Sequence, residues 1–367
     1  GWIDKNVNPC DDFFHYSCGN WIRQNPIPSD RASWGVAAIL QERNLVVLRE
    51  VAEDAVAHQN RTLLDQEVGA YYAACMDEES IEKNGIQPLK NELVELSKIT
   101  TVQQLITELA QVHRRQVDAF FGFGSLPDPD NSAISMGGLD QGGLGLPERD
   151  YYFRQDAKSE DLRKKYVAHV TKMFELSGLA PEAAGQKAQT VMRIETELAK
   201  ASLGVVARRD PKNIVHKYKM DALSKLTPAI DWSEYFREIG APKMETVNVV
   251  VPAFFEALNS QLSSTPVSDL TDYLSWRIIS AHANQLPHDF VAENFHFYGQ
   301  TLTGARELRP RWKRCIASTD SQIGEALGRK FVEKTFGEQG KQRTLKLVSD
   351  IEREMAADID SLSWMSP

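Results

Sequence analysis

The sequence predicts a mostly α-helical protein: a multi-helical lobe with a small β-hairpin region and an extended N-terminal segment. Three observations carry this. Apolar residues recur at three- and four-residue steps through most of the 367 residues, the spacing of one helix face. Glycines and alternating apolar residues concentrate in a single stretch, residues 116–153. Prolines and Asn-Pro steps crowd residues 1–35 and favour extended or looped chain there.

The elements follow in order. One short helix is expected near Asp11–Cys18. From about Ala37 the pattern turns helical, with Leu45, Leu48, Val51, Ala52 and Ala55 on one face. Further helices fit Leu63–Met76, which carries Tyr71, Tyr72 and Cys75, and Ile86–Ser97. Residues 101–114 read as a helix opened by a Thr cap, with Leu105, Leu109 and Val112 inward. Val117–Phe123 and Ala133–Met136 suggest a small strand pair. Helices resume at 159–178 and 181–203. Residues 208–236 hold a loop, a short helix and Trp232, and Val247–Val251 is either a strand or a buried connector. Helices then fit 252–263, 267–285, 287–299 and 321–336, the last stacking Ile323, Leu327 and Phe331. The final helix shows an amphipathic stripe of Val348, Ile351, Met355, Ile359 and Leu362. Ser366-Pro367 has the chemistry of a helix start, so further chain is expected downstream.

Bulk properties narrow the function classes. Hydrophobic residues make up 42% and charged residues 25%, ordinary for a globular protein with a substantial core. Net charge is −9 and no long basic run exists, which argues against a nucleic-acid partner. No apolar stretch approaches the ~20 residues that cross a bilayer. The nearest, residues 247–258, is short and broken by Pro252. The opening Gly-Trp-Ile-Asp has no leader-like pattern, consistent with a cytosolic chain or a mature secreted one.

Catalytic machinery is sparse. A zinc hydrolase typically sets two His at i, i+4 on a helix with Glu after the first. None of the eight His here precedes a Glu, so no HExxH exists. There is no GxSxG elbow, no phosphate-binding GxxxxGK[ST] and no strand-led GxGxxG. The run Gly137–Pro147 (GGLDQGGLGLP) fits neither nucleotide motif and reads as tight turns needing positive φ. Cys10, His15 and Cys18 are too few and too widely spaced for a structural zinc site. The residues alone leave Cys10, Cys18, Cys75 and Cys315 open between reduced thiols and disulfides.

Several segments together resemble the neprilysin family of zinc endopeptidases, which includes the endothelin-converting enzymes. They are Cys10-Asp-Asp-Phe-Phe-His-Tyr-Ser-Cys18-Gly-Asn-Trp21 with Ile27-Pro28, and Leu144-Gly-Leu-Pro-Glu-Arg-Asp150-Tyr-Tyr152. Next come Arg208-Arg209-Asp210-Pro211, Leu274-Ser-Trp276-Arg277 and Arg311-Trp312-Lys-Arg-Cys315. Gly324-Glu-Ala-Leu-Gly328-Arg329 and Leu362-Ser-Trp364-Met365 complete the set, in the family's order, from one end of the chain to the other.

The resemblance implies an N-terminal, non-catalytic region. Residues 1–36 would be an extended segment packing on a catalytic lobe, residues 37–343 a helical lid that limits substrates by size, and residues 344–367 a connecting helix. The zinc, its HExxH ligands and the catalytic Glu would belong to the C-terminal lobe of the parent, so this chain would hold no cofactor and be inactive alone. Its partners would be that lobe and small peptide substrates. The resemblance further implies a Cys75–Cys315 disulfide closing a loop of over 200 residues. Such a bridge is worth roughly 4–5 kcal/mol in the chain-entropy account. Cys10 and Cys18 would be free here or bridge to the other lobe, and the bridges imply an extracytoplasmic location: periplasmic, secreted or cell-surface. One departure stands out. Where family members often carry the Arg that grips a substrate's C-terminal carboxylate, this chain has Ser33, and Arg31 lies nearby as the substitute candidate. Asn60-Arg-Thr62 matches a glycosylation acceptor pattern. The competing readings are a stand-alone helical peptide-binding or scaffold module, and an enzyme with a site of its own on this lobe.

Overall fold

The computed structural model describes residues 1–58 and 62–365. Asn60 and Arg61 of the acceptor triplet, and the Ser366-Pro367 helix start, lie outside the described residues. The chain is mostly helical with one small sheet, and it divides into two compact units. Unit 1 is Gly1–Glu78 together with Ala305–Pro367, and unit 2 is Glu79–Gly304.

The chain enters through α1 (Phe13–Gln24), capped by Asp12, whose carboxylate accepts from the His15 amide at 2.9 Å. This helix runs further than the expected Asp11–Cys18. Gly19 and Asn20 do not stop it, because the preceding chain packs there: Arg23 reaches Asp4 at 2.6 Å, and Gly19 sits against the Asp4 side chain. It stops at Asn25, the residue before Pro26, where helical backbone is disfavoured. Helix α2 spans Val36–Ala57 and buries Leu45, Val51, Ala52 and Ala55. A capping box of Thr62 and Asp65 opens α3 (Leu63–Met76).

Unit 2 begins within α4 (Glu78–Asn84) and continues with α5 (Gln87–Leu96) and α6 (Val102–Arg114), the latter capped by Thr101. Strands β1 (Phe121–Asp128) and β2 (Asn131–Gln141) form an antiparallel hairpin. Helices α7 (Ala157–Leu176) and α8 (Pro181–Ala201) follow, then β3 (Lys217–Lys219), α9 (Met220–Leu226), α10 (Trp232–Ile239) and β4 (Thr246–Val249). The sheet order is β1-β2-β4-β3, with β4 parallel to β2 and antiparallel to β3. The hairpin is thus half of a mixed sheet, and Val247–Val249 is strand. Strand β1 extends past Phe123 through Gly124 to Asp128, where glycine and proline blank out the alternation that marks a strand.

Three helices close unit 2: α11 (Pro252–Ser264), α12 (Val267–His282) and α13 (His288–Asn294), the last passing into a π-helical stretch, Phe295–Thr303. The core of this unit is aromatic, with Trp232, Trp276, Tyr166, Tyr235 and Tyr273 fully buried. Back in unit 1, α14 spans Arg311–Thr335 and α15 spans Gly337–Ser361. Helix α14 starts ten residues before the expected 321. It leaves helical geometry at Ile323 (φ −134°, ψ 39°), so the apolar period restarts near the predicted boundary. Unit 1's core is small: Leu45, Val51, Ala52, Ala55, Val68, Tyr72, Ile316 and Leu327 around Cys315. No helix among the described residues is long and apolar enough to cross a membrane.

Candidate functional site

Arg31 lies in unit 1 on the turn before α2, with its side chain only 7% exposed. Its guanidinium is already engaged. Nε donates to Glu42 Oε1 at 3.1 Å, Nη2 donates to the same carboxylate, and Nη1 donates to Gln41 Oε1 at 3.2 Å. Lys313 adds a second cation, 2.8 Å from Glu42 and 3.1 Å from Asp30. Burial alone would raise the Glu42 carboxyl, but Lys313 and Arg31 together hold it below its ordinary value. An incoming carboxylate at Arg31 would therefore compete with Glu42. Ser33 is exposed nearby and carries no charge to offer.

The cysteines fall into two environments. Cys75 of α3 and Cys315 of α14 are joined, S–S 2.07 Å and Cα–Cα 5.7 Å. Arg311 clamps this join by donating to the Cys75 carbonyl at 2.9 and 2.6 Å and pairing with Glu78 at 3.0 Å. Cys10 is exposed and Cys18 half-buried, both as free thiols on or beside α1. His15 between them bonds to Asp12 at 2.6 Å. Among the described residues no group of three or more His, Cys, Asp or Glu stands together as a metal site.

Unit 2 holds the densest polar assembly. Glu195 of α8 has 0% exposure and accepts from Tyr152 at 2.7 Å and Tyr166 at 2.9 Å. Arg277 of α12 lies 3.8 Å from it. Burial raises the Glu195 carboxyl, while Arg277 and the two tyrosines oppose that shift. Burial and then the Glu195 charge push both tyrosines well above the ordinary phenol value, so both hydroxyls stay protonated as donors. Tyr152 in turn accepts from the amides of Gly145 (3.2 Å) and Leu146 (3.0 Å), and Trp276 donates to Tyr166 at 3.0 Å. Tyr273 donates to the Gly143 carbonyl at 2.7 Å and accepts from the Phe120 amide at 3.0 Å.

This knot accounts for two glycines of the run, whereas Gly137 and Gly138 lie in strand β2 and not in the expected turns. Gly143 has φ +78°, and a Cβ there would stand 2.6 Å from the Phe120 nitrogen. At Gly145 a Cβ would fall 1.8 Å from the Tyr166 hydroxyl. Only the first is a positive-φ requirement. The second is a requirement for space.

Two segments singled out in the sequence, Leu144–Tyr152 and Leu274–Arg277, thus meet around Glu195, a residue that sequence reasoning passed over. Its signal was there: on α8 it shares the face of Ala184, Ala188, Val191 and Leu198, all buried, and a charge on an apolar face needs partners. A third segment acts alike. Arg208 forks onto Asp140 of β2 at 2.8 and 2.7 Å. These signature residues tie the elements of unit 2 to one another.

Comparison with known proteins assigns the family. Residues 9–367 match the model of peptidase family M13, and the chain belongs to that family of zinc metalloendopeptidases. Mouse endothelin-converting enzyme 1 is 29% identical over 375 residues, covering 99% of this chain and 48% of that protein. Drosophila melanogaster neprilysin-3 is 26% identical over 384 residues, covering 99% and 49%. The Mycobacterium tuberculosis zinc metalloprotease Zmp1, solved with an inhibitor, superposes with a TM-score of 0.90 at 31% identity, over 100% of this chain and 56% of that one. PepO from Lactobacillus rhamnosis shares the fold, with a TM-score of 0.83 at 18% identity over 98% of this chain and 57% of that one. The chain spans about half the length of the curated relatives it matches.

Proposed function

We propose that this chain is the non-catalytic N-terminal half of an extracytoplasmic zinc endopeptidase acting on small peptides, with the zinc and the catalytic residues supplied by a C-terminal lobe. Unpartnered apolar surface on unit 1 is the observation that carries the reading. Helix α15 has no buried residue along its 25 positions, although Val348, Ile351, Met355 and Ile359 form an apolar stripe. Phe13 and Phe14 of α1 are likewise exposed, at 69% and 62%. Contiguous apolar faces of this kind belong against another surface.

In this reading residues 1–36 and 344–367 join the two lobes, residues 37–343 restrict access by size, and Cys10 and Cys18 bridge to the second lobe. Arg31 takes a substrate's C-terminal carboxylate by exchanging it for Glu42. The test is the coding sequence beyond Pro367. An HExxH motif with a downstream Glu is the expected finding. A stop codon there favours a stand-alone peptide-binding or scaffold module. Hydrolysis of a fluorogenic peptide by purified 1–367 that persists in chelator would overturn the assignment of catalysis to the other half.

A further inference from the structure

Unit 2 carries an open-sided pocket of about 490 Å³ between α5, α7, α8 and α12, within the size range of small-molecule sites. Its walls are apolar: Ile86, Leu93, Phe174, Leu179 and Ile279 all face it. We propose that this cavity binds a straight-chain aliphatic carboxylate, tail inward, with its head at Lys90 and Lys187. The proposal is independent of the peptidase reading.

The hydrogen-bonding groups select this ligand class. Four hydroxyl side chains line the cavity, and each donates to a carbonyl of its own helix. Ser97 bonds to Val94 O (2.7 Å), Ser177 to Phe174 O (2.7 Å), Thr271 to Ser268 O and Ser275 to Thr271 O (both 2.8 Å). The carbonyls at the end of α7 are capped in turn by the amides of Ser177, Gly178 and Leu179. Apart from the two lysines, the side chains of the wall therefore offer no free donor, and a peptide's carbonyls held deep in the pocket would be unpaired, which is costly. An alkyl chain has no such need.

Charge selects the head group. The only charged residues lining the cavity are Lys90, Lys187 and Asp272. Lys187 pairs with Asp272, whereas the exposed Lys90 ammonium has no ion-pair partner among the described residues. The rim thus carries one net positive charge, complementary to a monoanion.

Calorimetric titration of the purified chain with octanoate, decanoate, decanol and decyltrimethylammonium tests this. Decanoate should bind saturably, about fifteenfold tighter than octanoate, since each buried methylene contributes about fourfold. Decanol should bind at least about tenfold more weakly than decanoate, the usual scale of a lost charge-assisted contact, and the cationic amphiphile should not bind. Ser275→Phe fills the cavity and should abolish binding. Lys90→Gln, at an exposed position where folding is not at stake, should weaken decanoate severalfold and leave decanol unchanged. Equal affinity for decanoate and decanol, decanoate binding unaffected by Lys90→Gln, or no saturable binding at all would each overturn the proposal.

Discussion

Unit 2 and unit 1 handle the same problem in opposite ways. Unit 2 buries a full charge, Glu195, and surrounds it with donors from three elements. It also encloses two tryptophans completely, Trp232 and Trp276. Unit 1 has a core of a few aliphatic residues around a disulfide, and it leaves Trp2, Phe13, Phe14 and Trp364 facing outward. A large closed core can carry the cost of a buried ionic knot when each group of the knot is hydrogen-bonded, as Glu195 and its two tyrosines are. A small one leans on a covalent tie.

The sharpest way to break this contrast is at Glu195. Glu195→Ala leaves Arg277 with only Asp118, at 3.1 Å, as counter-charge and deprives two buried phenols of their acceptor. It should destabilise unit 2 by roughly 3–5 kcal/mol, read by urea denaturation. A loss under about 1 kcal/mol would mean the knot is not the support described. Next comes the disulfide. The Cys75→Ser, Cys315→Ser double variant should cost unit 1 about 2–4 kcal/mol and leave the unit 2 transition unchanged. A matching drop in unit 2 would show that the units do not unfold separately.

Acidification should act mainly on unit 2. Burial holds both His113 and His169 below the ordinary histidine value, with the Ala119 carbonyl and Glu293 respectively pulling the other way. The folded chain thus takes up fewer protons than the unfolded chain. Stability is fully present above about pH 6.5 and is lost as the pH falls below it. His169→Phe should flatten part of the decline in melting temperature between pH 7.5 and 5.5, and an unchanged slope would remove His169 from the account. The smallest effect belongs to α15. Ile351→Glu with Met355→Glu should change stability by less than about 0.5 kcal/mol, as for surface positions. It should also reduce concentration-dependent association in sedimentation. A loss of several kcal/mol would mean the stripe is covered within the chain.

Helices were the legible part of the sequence because their period is local. Thr101 and the Leu105, Leu109, Val112 spacing locate α6 at its observed start. The sheet was half visible, since β3 is three residues long with two exposed lysines, and nothing in such a segment announces a strand. The candidate site was less legible still. Arg31 stood out by its position beside a motif, but its tie to Lys313 runs through Glu42 and Asp30 across more than half the chain. The Glu195 knot draws on residues from Phe120 to Tyr298, and only folding reveals that they converge. Short-range pattern carries secondary structure, whereas long-range partners decide which charges are structural.

Unit 1 is also discontinuous: all of unit 2 is inserted between its two portions, and the bridge joins residues 240 apart in sequence. At synthesis rates of about 5–20 residues per second, Cys75 leaves the ribosome roughly 12–50 s before its mate. For that interval it is an unpaired thiol on an unfinished domain, while the inserted part is still being made. Cys10 and Cys18, both made earlier, are within reach as wrong partners before the right one arrives. Correct pairing therefore has to wait until Cys315 has been synthesised.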